Sequence, residues 1–206
     1  MKGFGSQSKS ESINNDNSSK FSKEEIINQA FNFHSQGNIA QAAKYYQSLI
    51  NEGIKDYRVF LNYGIILKNI GKLQEAELST RKAIEVQPEF AEGHLNLGNI
   101  FKDLGKLHNA ESSYRKAIKI KPDYAKAHSN LGNILRDLGK LEEAELSTRK
   151  AIEIQPNYIG AHYNLGNILR DLGKLEEAKI CSEKIMSLRS WSILGSYSFN
   201  REMKLD

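Results

Sequence analysis

Apolar and small residues recur along this chain in a helical rhythm. Between Ala91 and Tyr124 they fall at His94, Leu97, Gly98 and Phe101, and then through Ala110, Tyr114 and Ala117. Spacings of three and four residues place such side chains on one helix face. Gly105 stands between the two runs, where the first helix must stop and the chain turn, and Pro122 follows the second run as a breaker. The pattern predicts a helix, a tight turn and a second helix.

The same pattern returns every 34 residues. Leu131 to Ala144 reads LGNILRDLGKLEEA and Leu165 to Ala178 repeats those letters, while Ala76 to Glu85 and Ala144 to Glu153 both read AELSTRKAIE. A fixed period of this length marks stacked helix pairs, each burying its apolar face on its neighbours. In register the units begin at Lys23, Tyr57, Ala91, Ala125 and Ile159 and span 23–56, 57–90, 91–124, 125–158 and 159–190, with nothing inserted. Two helices approach closely only where neither carries a bulky side chain. Gly64 with Ala76, Gly98 with Ala110, Gly132 with Ala144 and Gly166 with Ala178 fit that need, and the turn glycine recurs as Gly71, Gly105, Gly139 and Gly173.

A large residue, Leu-Gly, an aromatic or Leu, then Ala, a second large residue, Ala and Pro: this order resembles the tetratricopeptide repeat. The resemblance runs from Lys23 to about Ser190 and implies an all-α, right-handed superhelical solenoid of helix-turn-helix repeats. Departures lie at the ends. The first unit has Ala30 in place of the packing Gly, Leu49 in place of Ala and Ile54 in place of Pro, and the last has Ile185 and Ser190 where Ala and Pro stand elsewhere. End units are atypical because one face lacks a neighbour. Here that face presents Ile180, Ile185 and Leu188. Residues 191–206, which include Trp191, Leu194, Tyr197 and Phe199, are apolar enough to cap it, or they mark where another domain begins; an uncovered edge would allow self-association. Residues 1–22 are rich in Ser, Asn and Lys and read as a flexible tail, too polar to bury enough surface to offset the entropy of ordering.

Composition narrows the function classes. The 206 residues carry 29 Lys and Arg against 25 Asp and Glu, a formal charge of +4 spread with alternating sign along the repeats. Nucleic-acid binding needs concentrated positive charge, so it is not expected. No window approaches the ~18 continuous apolar residues of a membrane span, and the first residues lack the apolar core of a signal peptide. Cys181 is the single cysteine, which excludes an internal disulfide and a thiolate zinc site. These points together predict a cytoplasmic protein without membrane partner, metal or cofactor.

Catalytic chemistry is not expected either. His94, His128 and His162 recur with the period, but they occupy the large-residue position of the buried stripe, and stacked units would hold them about 8–10 Å or more apart, too far to share a metal. Gly132 to Lys140 only faintly resembles a phosphate loop: its glycines are too widely spaced and Leu141 stands where Ser or Thr is needed. Glu142-Glu143 and Glu176-Glu177 open second helices, where negative charge favours the helix dipole. Cys181 lies among apolar neighbours as a small core residue.

Function in such an array belongs to a surface. On the first helix of each unit, away from the buried stripe, Asn62, Asn96, Asn130 and Asn164 recur at one position and Asn99, Asn133 and Asn167 three residues further on, with Lys126, Arg136 and Arg170 alongside. Asparagine is a weaker helix former than Glu, Lys or Gln, and its amide offers donors and acceptors that suit the backbone of an extended peptide. Duplication copies every residue, useful or not, so recurrence is also consistent with inherited filler. The run AHSNLGNILRDLGKLEEA is similar to repeats in protein O-linked N-acetylglucosamine transferases, and that resemblance implies that Asn96, Asn130 and Asn164 hold substrate backbone. A second class of tetratricopeptide domain clamps a terminal carboxylate with Lys and Arg; only Lys126 fits it, because Leu61, Leu95, Ser129 and Tyr163 stand where its first lysine belongs. The expected function is a non-enzymatic scaffold that binds a protein or peptide partner on its concave face. The alternative is the targeting part of an enzyme, for example a glycosyltransferase, whose catalytic domain is absent from these residues.

Overall fold

The computed structural model describes residues 22–202, with side chains as far as Ser190. The expected polar tail, Ser22 apart, lies outside the described residues. Among those described are ten helices and no strand: α1 (Lys23–Ser35), α2 (Ile39–Asn51), α3 (Tyr57–Asn69), α4 (Leu73–Val86), α5 (Ala91–Asp103), α6 (Leu107–Ile120), α7 (Ala125–Asp137), α8 (Leu141–Ile154), α9 (Ile159–Asp171) and α10 (Leu175–Glu202). The odd-numbered helices start where the period places the units, and the result is an all-α repeat solenoid. Of the segment expected as a separate cap, residues 191–202 continue α10 without a break.

The chain divides into two compact units, one ending at Ile54 and one beginning at Lys55. In the first, α1 packs on α2 over Ala30, Tyr46 and Leu49, all fully buried. Ser22 caps α1 in a reciprocal box: its backbone N–H donates to Glu25 Oε2 at 2.6 Å, and the Glu25 N–H donates to Ser22 Oγ at 3.2 Å. The missing Pro is replaced by a left-handed Gly53, which ends α2 through a bond from the Ile54 N–H to the Leu49 carbonyl.

In the second unit each helix packs on the next, from α3 through α10, and the first helices α7 and α9 also touch directly. The turn glycines Gly71, Gly105, Gly139 and Gly173 all have φ between +71° and +81°, a conformation that costs Gly little and other residues more. Behind each, a backbone bond such as Lys106 N–H to the Phe101 carbonyl, 2.8 Å, closes the helix end. The close approach within a helix pair differs in detail from the expected Gly–Ala contact. In three pairs the side chain over the helical glycine lies four residues beyond the alanine: a Cβ on Gly98 would lie 2.5 Å from Tyr114 Cε1, one on Gly64 2.6 Å from Thr80 Oγ1, and one on Gly132 would overlap Thr148 Oγ1 and lie 3.0 Å from the Ala144 carbonyl. Alanine is required not as the contact itself but to let the next turn come down. Gly166 is looser, with Cys181 Cβ at 3.5 Å.

Polar groups tie consecutive units together. Glu77, Glu111 and Glu145, on the second helices, each accept from an Arg one turn on, Arg81, Arg115 and Arg149, and from a Lys of the next turn, Lys106, Lys140 and Lys174, at 2.7–3.0 Å. Arg115 and Arg149 reach on to Glu143 and Glu177, so these acids serve the neighbouring unit as well as the helix dipole. At that step Asn109 stands where the later units have Glu143 and Glu177, and Arg81 lies instead over the Phe101 ring, 5.4 Å from its centroid, with Lys106 at 5.6 Å. The period histidines are packing residues with a second role. Nε2 of His94, His128 and His162 donates to the carbonyl of Pro88, Pro122 and Pro156 at 2.8–3.1 Å, fixing the loop that enters each unit.

Two predictions follow from this packing. Gly132→Ala should lower the melting temperature, because an overpacking cost of about 1–3 kcal/mol exceeds the helix-propensity gain of about 1 kcal/mol. Gly166→Ala meets only ordinary van der Waals contacts, with Cys181 Cβ at 3.5 Å, so it should raise the melting temperature by about 2–4 °C. Scanning calorimetry of both variants checks the signs. The second prediction concerns pH. Burial holds His34 and His94 below the usual imidazole value. Burial would raise Glu77 and Glu111, but bonds from Lys106 with Arg81 and from Lys140 with Arg115 outweigh it; Glu145 is lowered first by Lys174, against burial, and then by Arg149. Depressed values mean that the folded chain binds fewer protons than the unfolded one, so stability is present above the ordinary values and lost on acidification. The melting temperature should fall in two stages, below about pH 6.5 and again below about pH 4.5, with the first stage reduced in His94→Gln.

A candidate recognition face of asparagine side chains

The first helices α3, α5, α7 and α9 carry the asparagine rows. Each buries a stripe around its packing glycine, and all seven candidates, Asn62, Asn96, Asn99, Asn130, Asn133, Asn164 and Asn167, are partly covered beside it. The structure brings several of them into contact. Asn130 Nδ2 donates to Asn99 Oδ1 of the preceding unit at 2.9 Å, and Tyr114 donates its hydroxyl to the same oxygen at 2.9 Å. Asn164 Nδ2 donates to Ser129, to Oγ at 3.0 Å and to the carbonyl at 3.3 Å. Asn96 instead donates to the Glu92 carbonyl of its own helix at 3.0 Å.

The neighbouring residues explain these choices. Asn164 finds a polar partner because Ser129 stands where the preceding unit has Leu95; Asn130, with Leu95 at that place, bonds Asn99 instead. For Asn96 the equivalent places one unit earlier are Leu61 and Ile65, whose side chains accept no hydrogen bond, and its amide bonds its own helix. Asn130 and Asn164 are thus links between units, a role that the sequence reading missed. The signal lay in comparing each asparagine with the residues one unit earlier, not with its own copies. In all three the bond is made by the amide nitrogen. The carbonyl acceptors of Glu92 and Ser129 fix that orientation, and Oδ1 of Asn96, Asn130 and Asn164 accepts nothing from the described residues.

The charged candidates separate. Arg136 donates to Asp171 of the next unit at 2.6 Å, as Lys68 pairs with Asp103 at 3.1 Å. Arg170 holds Asn167 Oδ1 at 2.9 Å. Lys126 is exposed and has no partner among the described residues. Asn62 and Asn133 also have no hydrogen-bond partner there. Burial pushes Tyr114 well above the usual phenol range, with the Asp103 charge adding to it, which keeps the hydroxyl a donor toward Asn99. In α9 Tyr163 is 61% exposed, at the position where Leu61, Leu95 and Ser129 are buried in the earlier units.

Comparison with known proteins gives one consistent family. A model described as TPR repeat matches residues 98–135 and 132–173, one described as tetratricopeptide repeat matches 57–90 and 159–190, and a further tetratricopeptide model matches 27–52. Comparison with curated proteins finds no match. Among solved structures, MamA from Desulfovibrio magneticus RS-1 superposes with a TM-score of 0.73 at 20% identity, covering 81% of this chain and 94% of its own. PilF of Pseudomonas aeruginosa gives 0.71 at 14% identity, covering 80% and 75%. YrrB, described as a TPR protein with an unusual peptide-binding site, gives 0.67 at 19% identity, covering 85% and 90%. At these identities the likeness is one of fold.

The contrast among the asparagines is measurable. Asn164→Ala should cost about 1 kcal/mol by removing a bond to Ser129, which is 1% exposed, and a double-mutant cycle with Ser129→Ala should show coupling of about 0.5–1.5 kcal/mol. Asn96→Ala breaks no link between units and should be neutral or slightly stabilising through helix propensity. Urea unfolding of the four variants checks both; zero coupling between residues 129 and 164 would remove the inter-unit role.

Proposed function

We propose, from the premise that this chain belongs to the tetratricopeptide repeat family, that it is a protein-interaction scaffold holding peptide segments of a partner on the face formed by its first helices. The observation that supports this most directly is the row of side-chain oxygens at Asn96, Asn130 and Asn164. Each amide nitrogen is committed to the protein, and each Oδ1 is open. An extended peptide presents N–H groups in series, and acceptors already held in place bind them without losing side-chain freedom at that moment.

Asn62 and Asn133 add amides with all their bonding capacity available, and Asn99 and Asn167 hold their neighbours in place. Lys126 supplies a cation for an acidic residue of the peptide. Arg170 steadies Asn167, and Arg136 closes the edge of the row through Asp171. That YrrB, a protein of this fold, is described by a peptide-binding site is consistent with the same use here. The reading gives the chain an adaptor role without catalysis, cofactor or nucleic acid, in a reducing compartment suited to its single buried cysteine. The alternative, the targeting portion of a glycosyltransferase, rests on the resemblance of the repeats alone.

The test begins with peptides selected from a random display library on the full chain. Replacing Asn96, Asn130 and Asn164 together by Ala should weaken the selected peptides at least tenfold, with helicity unchanged by circular dichroism. Because Asn130 and Asn164 also join units, Asn96→Ala alone serves as the control for fold and should still weaken binding two- to fivefold. Equal affinity for wild type and the triple variant would sink the proposal.

A further inference from the structure

The second helices α6 and α8 stand apart on either side of α7 and leave a groove of about 510 Å³ between them. Ile118, Leu131 and Leu135 form its apolar lining, and Leu146 stands on its wall, 71% exposed. No packing requirement explains that leucine, since Ser112 fills the same position one unit earlier. The polar groups at the base are already satisfied: Ser147 donates to the His128 carbonyl at 3.0 Å, and His128 donates to the Pro122 carbonyl. The size is within the usual range of ligand sites, and the groove opens on the side of the array away from the asparagine row.

Charge identifies the occupant. Arg115 is held by Glu111 and Glu143, and Lys150 by Glu153 at 2.6 Å. Lys119 also lines the groove and has no partner among the described residues. The reason is a single departure from the repeat. At the position of Lys119 the second helices on either side carry acids, Glu85 and Glu153, and Glu153 pairs with Lys150. In α6 that acid is replaced by Lys119, so an exposed, unpaired cation stands on the wall of an apolar groove. A related groove of about 490 Å³ repeats one unit later between α8 and α10, with Ile180 in the place of Leu146, but there Glu153 replaces Lys119. The departure is confined to the first groove.

We infer that the groove between α6 and α8 is a second docking site, which takes an acidic partner segment: aliphatic side chains enter beside Leu146 and a flanking carboxylate pairs with Lys119. The site is separate from the asparagine row and does not depend on it.

The probe is a fluorescein-labelled Glu-Glu-Leu-Leu-Glu-Glu peptide titrated against the full chain and read by fluorescence anisotropy. Leu146→Ser and Lys119→Glu lie at exposed positions and should each weaken binding about tenfold, and raising the salt from 50 to 300 mM should weaken wild-type binding further. Lys44→Glu makes the same change of charge at an exposed position of α2 that belongs to neither surface and should leave affinity within twofold. The inference is overturned if the probe fails to bind saturably, if Lys119→Glu and Lys44→Glu weaken it equally, or if Asn96→Ala abolishes it. It is also overturned if sedimentation shows Leu146 holding a second copy of the chain, with dimers of wild type and monomers of Leu146→Ser.

Discussion

The close approach of two helices at one glycine per unit controls both the core and the recognition face. Gly98 lets Tyr114 lie against α5 with its ring where a Cβ would otherwise be, and the phenol emerges next to Asn99. Asn99, so held, accepts Asn130 from the next unit. A packing contact inside one helix pair is thereby passed to the junction between pairs. Where Thr148 replaces the tyrosine, the hydroxyl turns back to the Ala144 carbonyl at 2.8 Å and no link emerges; the junction then depends on Ser129 and Asn164. The same residue decides how tightly the helices pack and which polar group appears on the inner side.

Stability of a stacked array is close to a sum of units and their interfaces. Within the second compact unit each interface between repeats is bound on two sides. On the side of the first helices are the amide links and the Lys68–Asp103 and Arg136–Asp171 pairs; on the other are the carboxylates of Glu77, Glu111 and Glu145, each held by two cations. Single exposed ion pairs contribute roughly 0.2–1 kcal/mol, but a shared carboxylate with little exposure fixes geometry as well as energy. The one step that lacks a second acid, at Asn109, is bridged by cations over Phe101, the only aromatic at its place in α3, α5, α7 and α9.

Most of the fold was legible in the sequence because it depends on spacing. The helix starts at Tyr57, Ala91, Ala125 and Ile159, the turn glycines and the packing glycines all follow from periodicity and the steric needs of close helices. What escaped was what depends on differences between units. The role of Asn164 turns on Ser129 against Leu95, that of Asn96 on Leu61 and Ile65, and the unpaired Lys119 on the loss of an acid present at Glu85 and Glu153. Aligning the units emphasises their common residues, whereas the links between them are set by the residues that vary. The groove between α6 and α8 escaped for another reason: it arises from the separation of two helices, which no run of residues encodes.

The asparagines therefore need not be either structural or functional. An amide has two ends, and in Asn96, Asn130 and Asn164 the nitrogen is used by the protein while the oxygen is left open. A side chain anchored through one end is a better acceptor at the other, since its rotamer is fixed before any peptide arrives. Glutamine would add a rotatable bond and lose that restriction; aspartate would keep the shape but remove the donor that anchors it, and would place a row of like charges along one face. Asparagine is the residue that satisfies both requirements at once, which accounts for its persistence at this position in four successive units despite its poor helix propensity.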